Sequence, residues 1–227
     1  MKRLVIIGIS YAAKQIYSLV TFHNLYDVVG FAVNKEYLTS DSFLGLPVYD
    51  LESLNEKVDG EFGVFVAIQW GHLNADRKRA FNQCCSLGYQ LVNIISPSAV
   101  VRSEITGRNC LIDDFALVKN DVVIKDDVCI KANAVIADYA HIESHVYIGL
   151  HAVVAGGVII GEQSFVGINA SVLDTTIIGK KCIVSSGCTV KRNMPDFSRW
   201  IDGSDITIKQ YSEEEVEGKL VPAKNIR

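Results

Sequence analysis

Branched aliphatic residues recur at every sixth position through the second half of the chain. Counted from Ile94, the first place of successive hexads holds Val100, Thr106, Ile112, Val118, Ile124, Ile130, Ile136, Ile142, Ile148, Val154, Ile160, Val166, Val172, Ile178, Val184 and Val190. The fifth place is mostly small, as at Ala116, Ala134, Ala140, Ala152, Ala170, Cys182 and Cys188. An amphipathic strand repeats every two residues and an amphipathic helix every 3.6, so neither produces this spacing. A three-sided coil does. Each hexad forms one side, the branched residue points inward, and the small residue fits beside the bend. Three hexads close a coil, and coils stack through parallel β hydrogen bonds. The count predicts an uninterrupted parallel β-helix, and no proline falls between Pro97 and Pro195.

Ahead of the hexads the pattern changes. Apolar runs at Arg3–Gly8, Asp27–Val33, Gly45–Tyr49, Phe62–Ile68 and Gln90–Ile95 read as strands. Tyr11–His23 reads as a helix with Ala12, Ile16, Leu19 and Val20 on one face, a short helix begins at Leu51–Leu54, and Asn74–Leu87 is a third. Alternating strands and helices predict a small parallel sheet with helices on both faces. The boundary with the hexads falls near Ser96–Pro97. Ligands of such sheets bind at the carboxyl ends of the strands. That places candidate substrate contacts at Gly8, Ser10 and Tyr11 in the first turn, and at Asn34 and Lys35 after the second strand.

Composition narrows the classes. The 227 residues carry a net charge of −4, with 49% hydrophobic and 21% charged. Mild acidity argues against a nucleic-acid partner. Apolar runs are short and broken by charges such as Lys14 and Lys131, which argues against membrane insertion. The opening MKRLVIIGIS has a signal peptide as its alternative reading, but it lacks a small-x-small site and runs into a helix pattern. The six cysteines have no metal-ligand spacing and several occupy the small hexad place, as expected for reduced thiols in a cytoplasmic protein.

The hexads resemble those of the left-handed β-helix acyltransferases, in particular the bacterial sugar acetyltransferases of the sialic-acid O-acetyltransferase type, which include UDP-amino-sugar N-acetyltransferases. The resemblance implies a Rossmann-like α/β domain over residues 1–95, a left-handed β-helix over 96–195 and a C-terminal extension over 196–227. It implies a homotrimer that uses acetyl-CoA as co-substrate. The acceptor would be a nucleotide-linked amino sugar or a sialic-acid-type sugar in surface-glycan synthesis. Aligned on Gly167-Ile168-Asn169, the relatives' catalytic histidine falls at Asp138, in Ala137-Asp138-Tyr139. His141, His145 and His151 lie on three successive hexads and are expected to face outward, so Asp138 with these histidines forms the candidate proton-handling group. Gly156, Gly167, Ile168, Asn169 and Ser186 are the candidate coenzyme contacts. No metal is expected, since the three histidines lack the separation used by hexapeptide-repeat carbonic anhydrases. Phe197–Leu220, with Trp200, intervenes before a late Val221-Pro222-Ala223-Lys224 and is expected near the adenine end of the coenzyme groove, capping the trimer or covering that groove. A trimeric scaffold or sugar-nucleotide-binding protein without catalysis is the alternative, motivated by the missing histidine and the glycine-poor first turn.

Overall fold

The computed structural model describes residues 2–201 and 207–217. A five-stranded sheet opens the chain, built from β1 (Arg3–Ile7), β2 (Asp27–Val33), β3 (Ser42–Phe43), β4 (Leu46–Asp50) and β5 (Gly63–Val66). Its order is β3-β4-β2-β1-β5, parallel except for the β3–β4 hairpin. Helix α1 (Tyr11–Phe22) packs Ala13, Ile16 and Val20 against Leu4, Ile6 and Phe31. The short α2 (Leu54–Lys57) and α3 (Ala75–Ser86) cover the other face, where Phe81 and Cys84 meet Val5, Ile7 and Val64. Both faces are buried, which is why β1 reads as a continuous apolar run. The strand expected over Gln90–Ile95 does not form. Leu91 makes one bridge to Val64, while Ile94–Ile95 joins the β-helix.

From Ile94 onward the chain winds into a three-sided prism. Each side is a two-residue strand whose outward residue occupies the sixth hexad place and whose inward residue begins the next hexad. Leu111 pairs with Cys129, and Cys129 with Tyr147, so coils stack in register every eighteen residues. Inward residues from Ile112 to Val190 are at most 1% exposed. Between strands, the fourth place of every hexad takes a left-handed backbone, from Asn109 (φ 57°) to Gly187 (φ 74°). Glycine occupies only Gly157 and Gly187 among these corners, and residues as large as Phe115 and Tyr139 fill the rest.

The hexad count is interrupted once. Ile95 pairs with Ile112 and Val101 with Val118, so the first coil is one residue short. Val100, expected inside, is 50% exposed, and Val101 turns toward the core. Ile105 packs against the prism in the place expected for Thr106. At the other end Met194 and Trp200 are 2% and 1% exposed and close the prism. Trp200 therefore belongs to the core rather than to a groove cover, on the strand Ser198–Ile201 that pairs with Val184. The chain then returns along the prism. Ser212 and Glu215 cap each other's backbone amides, and Val216 packs on Leu73, Phe165 and Ile183. Val221–Lys224 lies outside the described residues.

The sheet domain covers one side of the prism and one corner. On that side the outward residues Leu111, Cys129, Tyr147, Phe165 and Ile183 are apolar. At its corner the left-handed positions are Asn109, Asp127, His145, Gln163 and Lys181. Arg77, from α3, inserts there. Its guanidinium donates to the Asp127 carboxylate at 3.0 Å and to the main-chain oxygens of Asp127, His145 and Val146. Asn109 accepts the Val66 amide at 2.7 Å, and Gln163 donates to the Leu73 carbonyl at 3.1 Å. This polar column clamps the two parts of the chain together.

Ile130→Ala should cost about 2–5 kcal/mol in denaturant unfolding and Val100→Ala under about 0.5 kcal/mol; a larger loss at Val100 contradicts the slipped register. Asp127→Ala leaves Arg77 buried without its counter-charge and should cost about 3–5 kcal/mol.

Candidate functional site

The two remaining corners face away from the sheet domain. One carries Phe115, Asn133, His151, Asn169 and Gly187 at the left-handed place; the other carries Asp121, Tyr139, Gly157 and Thr175. Residues six apart stand on different sides, so the three candidate histidines do not cluster. His141 lies on the strand following the Tyr139 corner, His145 at the corner clamped by Arg77, and His151 at the third.

Their environments differ accordingly. His145 is 6% exposed, its Nδ1 lies 2.9 Å from the Asp127 carboxylate, and Phe81 packs edge-on against its ring. It cannot reach solvent as expected, because the covered corner encloses it, and its role there is to hold the corner. His151 is exposed. His141 is 36% exposed at its side chain, and its Nε2 stands 3.0 Å from a Glu143 oxygen. That approach suits an ion pair but is misaligned for a hydrogen bond, so Nε2 has no hydrogen-bond partner.

Asp138 is engaged elsewhere. Its carboxylate takes an ion pair from Lys119, the Asn120 amide at 3.1 Å and the Asn120 side chain at 2.8 Å. The same bond recurs around the prism: the Arg108 amide donates to Asp126, Gly156 to Asp174, and Lys180 to Asp196. Asp138 is one rung of this ladder, tying one coil to the coil before it. The Lys119 ammonium and the two Asn120 donors hold its pKa at about 2. So depressed, it is a poor proton acceptor at neutral pH. This is the physical reason against Asp138 as a general base.

The candidate coenzyme contacts divide between the two open corners. Gly156 adjoins the Tyr139 corner one coil above Asp138, and its amide is already bonded to Asp174 at 2.9 Å. Gly167, Ile168, Asn169 and Ser186 lie together at the His151 corner. A Cβ on Gly167 would stand 2.5 Å from the Ser186 nitrogen, so coil stacking alone requires glycine there. Ile168 is 51% exposed beside it.

At the sheet's carboxyl edge, Gly8 (φ 119°) donates its amide to the Ala32 carbonyl at 2.8 Å, and a Cβ there would stand 3.0 Å from the Ala67 oxygen. Ser10 precedes α1 without capping it, and Tyr11 is exposed. Asn34 follows β2 and accepts from Gln83 at 2.9 Å; Lys35 starts a single helical turn. Asn34 lines an open groove of about 780 Å³ with Glu36, Tyr37, Ile68, Arg79 and Glu214. A smaller cavity of about 60 Å³ lies between α1 and the prism, beside Gln15, Lys131 and Tyr147.

Arg77, Asp127, Lys119 and Glu143 were not singled out from the sequence. A signal for Asp127 was present, because every third left-handed corner from Asn109 to Lys181 carries a polar or charged side chain. The cysteines are free; burial pushes the thiols of Cys84 and Cys110 up to about 12. Among the described residues, no three His, Cys, Asp or Glu converge to hold a metal ion, and no helix is long and apolar enough to cross a membrane.

The bacterial transferase hexapeptide model (six repeats) matches residues 105–138. A perosamine N-acetyltransferase mutant from Caulobacter crescentus, solved with CoA and GDP-perosamine, is similar at 28% identity and a TM-score of 0.81. The match covers 93% of this chain and 98% of that one. The fold is that of the left-handed β-helix sugar acetyltransferases. The acetyltransferase domain of PglB from Neisseria gonorrhoeae FA1090 is 25% identical, with a TM-score of 0.78 over 91% of this chain and 99% of that one. WeeI from Acinetobacter baumannii AYE has the same fold at 20% identity, with a TM-score of 0.78 over 92% of this chain and 100% of that one. No curated protein sequence matches. The acetyltransferase fold thus spans both parts of the chain, the sheet as well as the prism.

Because its pKa is lowered, Asp138 contributes stability above the ordinary carboxylate range, and that contribution is lost as pH falls toward 2. A carbon-detected NMR titration should find its carboxyl titrating near 2. A midpoint near the usual value of about 4 contradicts the ladder assignment.

Proposed function

We infer that this protein transfers an acetyl group from acetyl-CoA to the amino group of a nucleotide-linked sugar, in surface-glycan synthesis. The observation that carries the reading is the similarity over 93% of the chain to an enzyme solved with CoA and GDP-perosamine. Transfer requires an acceptor relieved of its proton, donors for the developing oxyanion, and both substrates held together.

Two open corners divide the candidate groups, and one side of the prism separates them. Residues of both corners meet when a neighbouring copy lays its His151 corner beside the Tyr139 corner. Supporting such assembly, Val123, Ile159 and Ile177 stand 37%, 40% and 45% exposed in one column beside the Tyr139 corner, and Ile168 is 51% exposed at the His151 corner. A homotrimer satisfies each corner once. The coenzyme lies along that cleft, beside Gly156 of one copy and Gly167, Ile168, Asn169 and Ser186 of the next. The nucleotide lies on the sheet's carboxyl edge, near Gly8, Ser10, Tyr11, Asn34 and Lys35. Free cysteines and a CoA substrate fit the cytoplasm.

His141 is the proton acceptor in this reading. Its ring is 36% exposed, and although Nε2 is itself shielded from solvent, the Glu143 carboxylate 3.0 Å from it favours the imidazolium that forms when the ring takes up a proton. His151, from the neighbouring copy, contacts the substrate or coenzyme. Asp138 keeps the corner in shape.

Thiol release from acetyl-CoA over a panel of nucleotide amino sugars tests the function, and turnover is expected with at least one. His141→Asn should lower kcat by about 100-fold or more without lowering the melting temperature. His145→Asn should lower the melting temperature. Turnover that survives His141→Asn intact removes the base assignment; no turnover and no binding of acetyl-CoA favours the scaffold reading.

A further inference from the structure

We propose that the groove at the end of β2 reads guanine in preference to uracil, with Glu36 and Asn34 contacting the base edge and Tyr37 stacking on its face. The proposal deepens the nucleotide-sugar reading above and rests on it.

The groove opens at the sheet's carboxyl edge with a volume of about 780 Å³, within the range of small-molecule sites. Three consecutive features of one short segment line it. Asn34 accepts from Gln83 Nε2 at 2.9 Å through its side-chain oxygen, which leaves its Nδ2 as the donor of that side chain. Glu36, two residues on, is exposed and makes no ion pair among the described residues, and its ionised carboxylate offers acceptors only. Tyr37 is 60% exposed and presents an aromatic plane at the same rim. The helical turn Lys35–Tyr37 sets all three on one bend of the chain.

The chemistry discriminates between bases. Guanine carries two adjacent donors, N1–H and the N2 amino group, next to the O6 acceptor. A carboxylate accepts both donors while a neighbouring amide donates to O6. Uracil has a single N3–H flanked by two carbonyl oxygens, which a carboxylate repels. The aromatic plane serves either base, because stacking is tolerant of base identity. Lys35, beside Glu36, is exposed, and Arg79, which lines the same groove, lies 3.4 Å from Asp76.

Titration calorimetry of the full-length protein with GDP and with UDP tests this directly. GDP should bind at least tenfold more tightly than UDP. Glu36→Gln replaces one acceptor by a donor, and should cost GDP tenfold or more while leaving UDP unchanged or improved. Tyr37→Ala should weaken both nucleotides alike, and Tyr37→Phe should restore them. Equal affinity for the two nucleotides, tighter UDP, binding of neither, or a GDP-to-UDP ratio unmoved by Glu36→Gln overturns the proposal. Acetyl-CoA titrated into the same samples separates the two claims. Acetyl-CoA binding without base preference removes the guanine assignment and leaves acetyl transfer standing. GDP preference without acetyl-CoA binding supports the groove and removes acetyl transfer.

Discussion

Each side of the prism depends on a residue held in the left-handed backbone region at the corner before it. For residues other than glycine that conformation costs about 1–2 kcal/mol. Burying one isoleucine or valine side chain returns about 1.5–3 kcal/mol, and each side buries one together with a small neighbour. The two terms nearly balance for a lone hexad. What tips the sum is stacking, because each coil also completes the backbone hydrogen bonds of the coils above and below. The prism is stable as a stack, and its ends must be closed. Trp200 and Met194 close one end, and the slipped first coil with Ile95, Val101 and Ile105 closes the other.

Corners so constrained become positions at which side chains are presented at fixed spacing. The covered corner uses this to build a polar column that Arg77 can clamp, and the side next to it offers the apolar strip on which α1 and the loop before α3 pack. The aspartate rungs use the same regularity to tie neighbouring coils. Asp138 belongs to that structural vocabulary, although the family resemblance places a catalytic histidine at its position. Proton transfer in this chain therefore shifts, in our account, to His141 on the adjoining strand, whose half-exposed ring stands beside the Glu143 carboxylate.

The prism was legible because six-residue periodicity is a long-range signal that no single substitution erases. The one-residue slip was not, because Ile94 and Val100 are as apolar as Ile95 and Val101, and both registers read equally well. Only the pairing of Ile95 with Ile112 decides between them. The histidines misled for a geometric reason. Adjacent hexads look close in sequence, but a triangular coil turns each onto a new side, so spatial neighbours are eighteen residues apart. His145 was expected at the surface, and the sheet domain that buries it could not be oriented from periodicity. The strands of that domain were legible to within a few residues, except Gln90–Ile95, where the apolar run serves the prism instead, and the two-residue β3 (Ser42–Phe43), too short to show a pattern.

The central claim is that two different corners, brought together by neighbouring copies, form one coenzyme cleft. A crystal structure of the CoA complex tests it most directly. The account predicts the pantetheine chain between copies, with its sulfur near His141 of one and the Gly167–Asn169 bend of the next. Coenzyme bound within a single copy, or clefts filled by side chains of the adjoining copy, would contradict it.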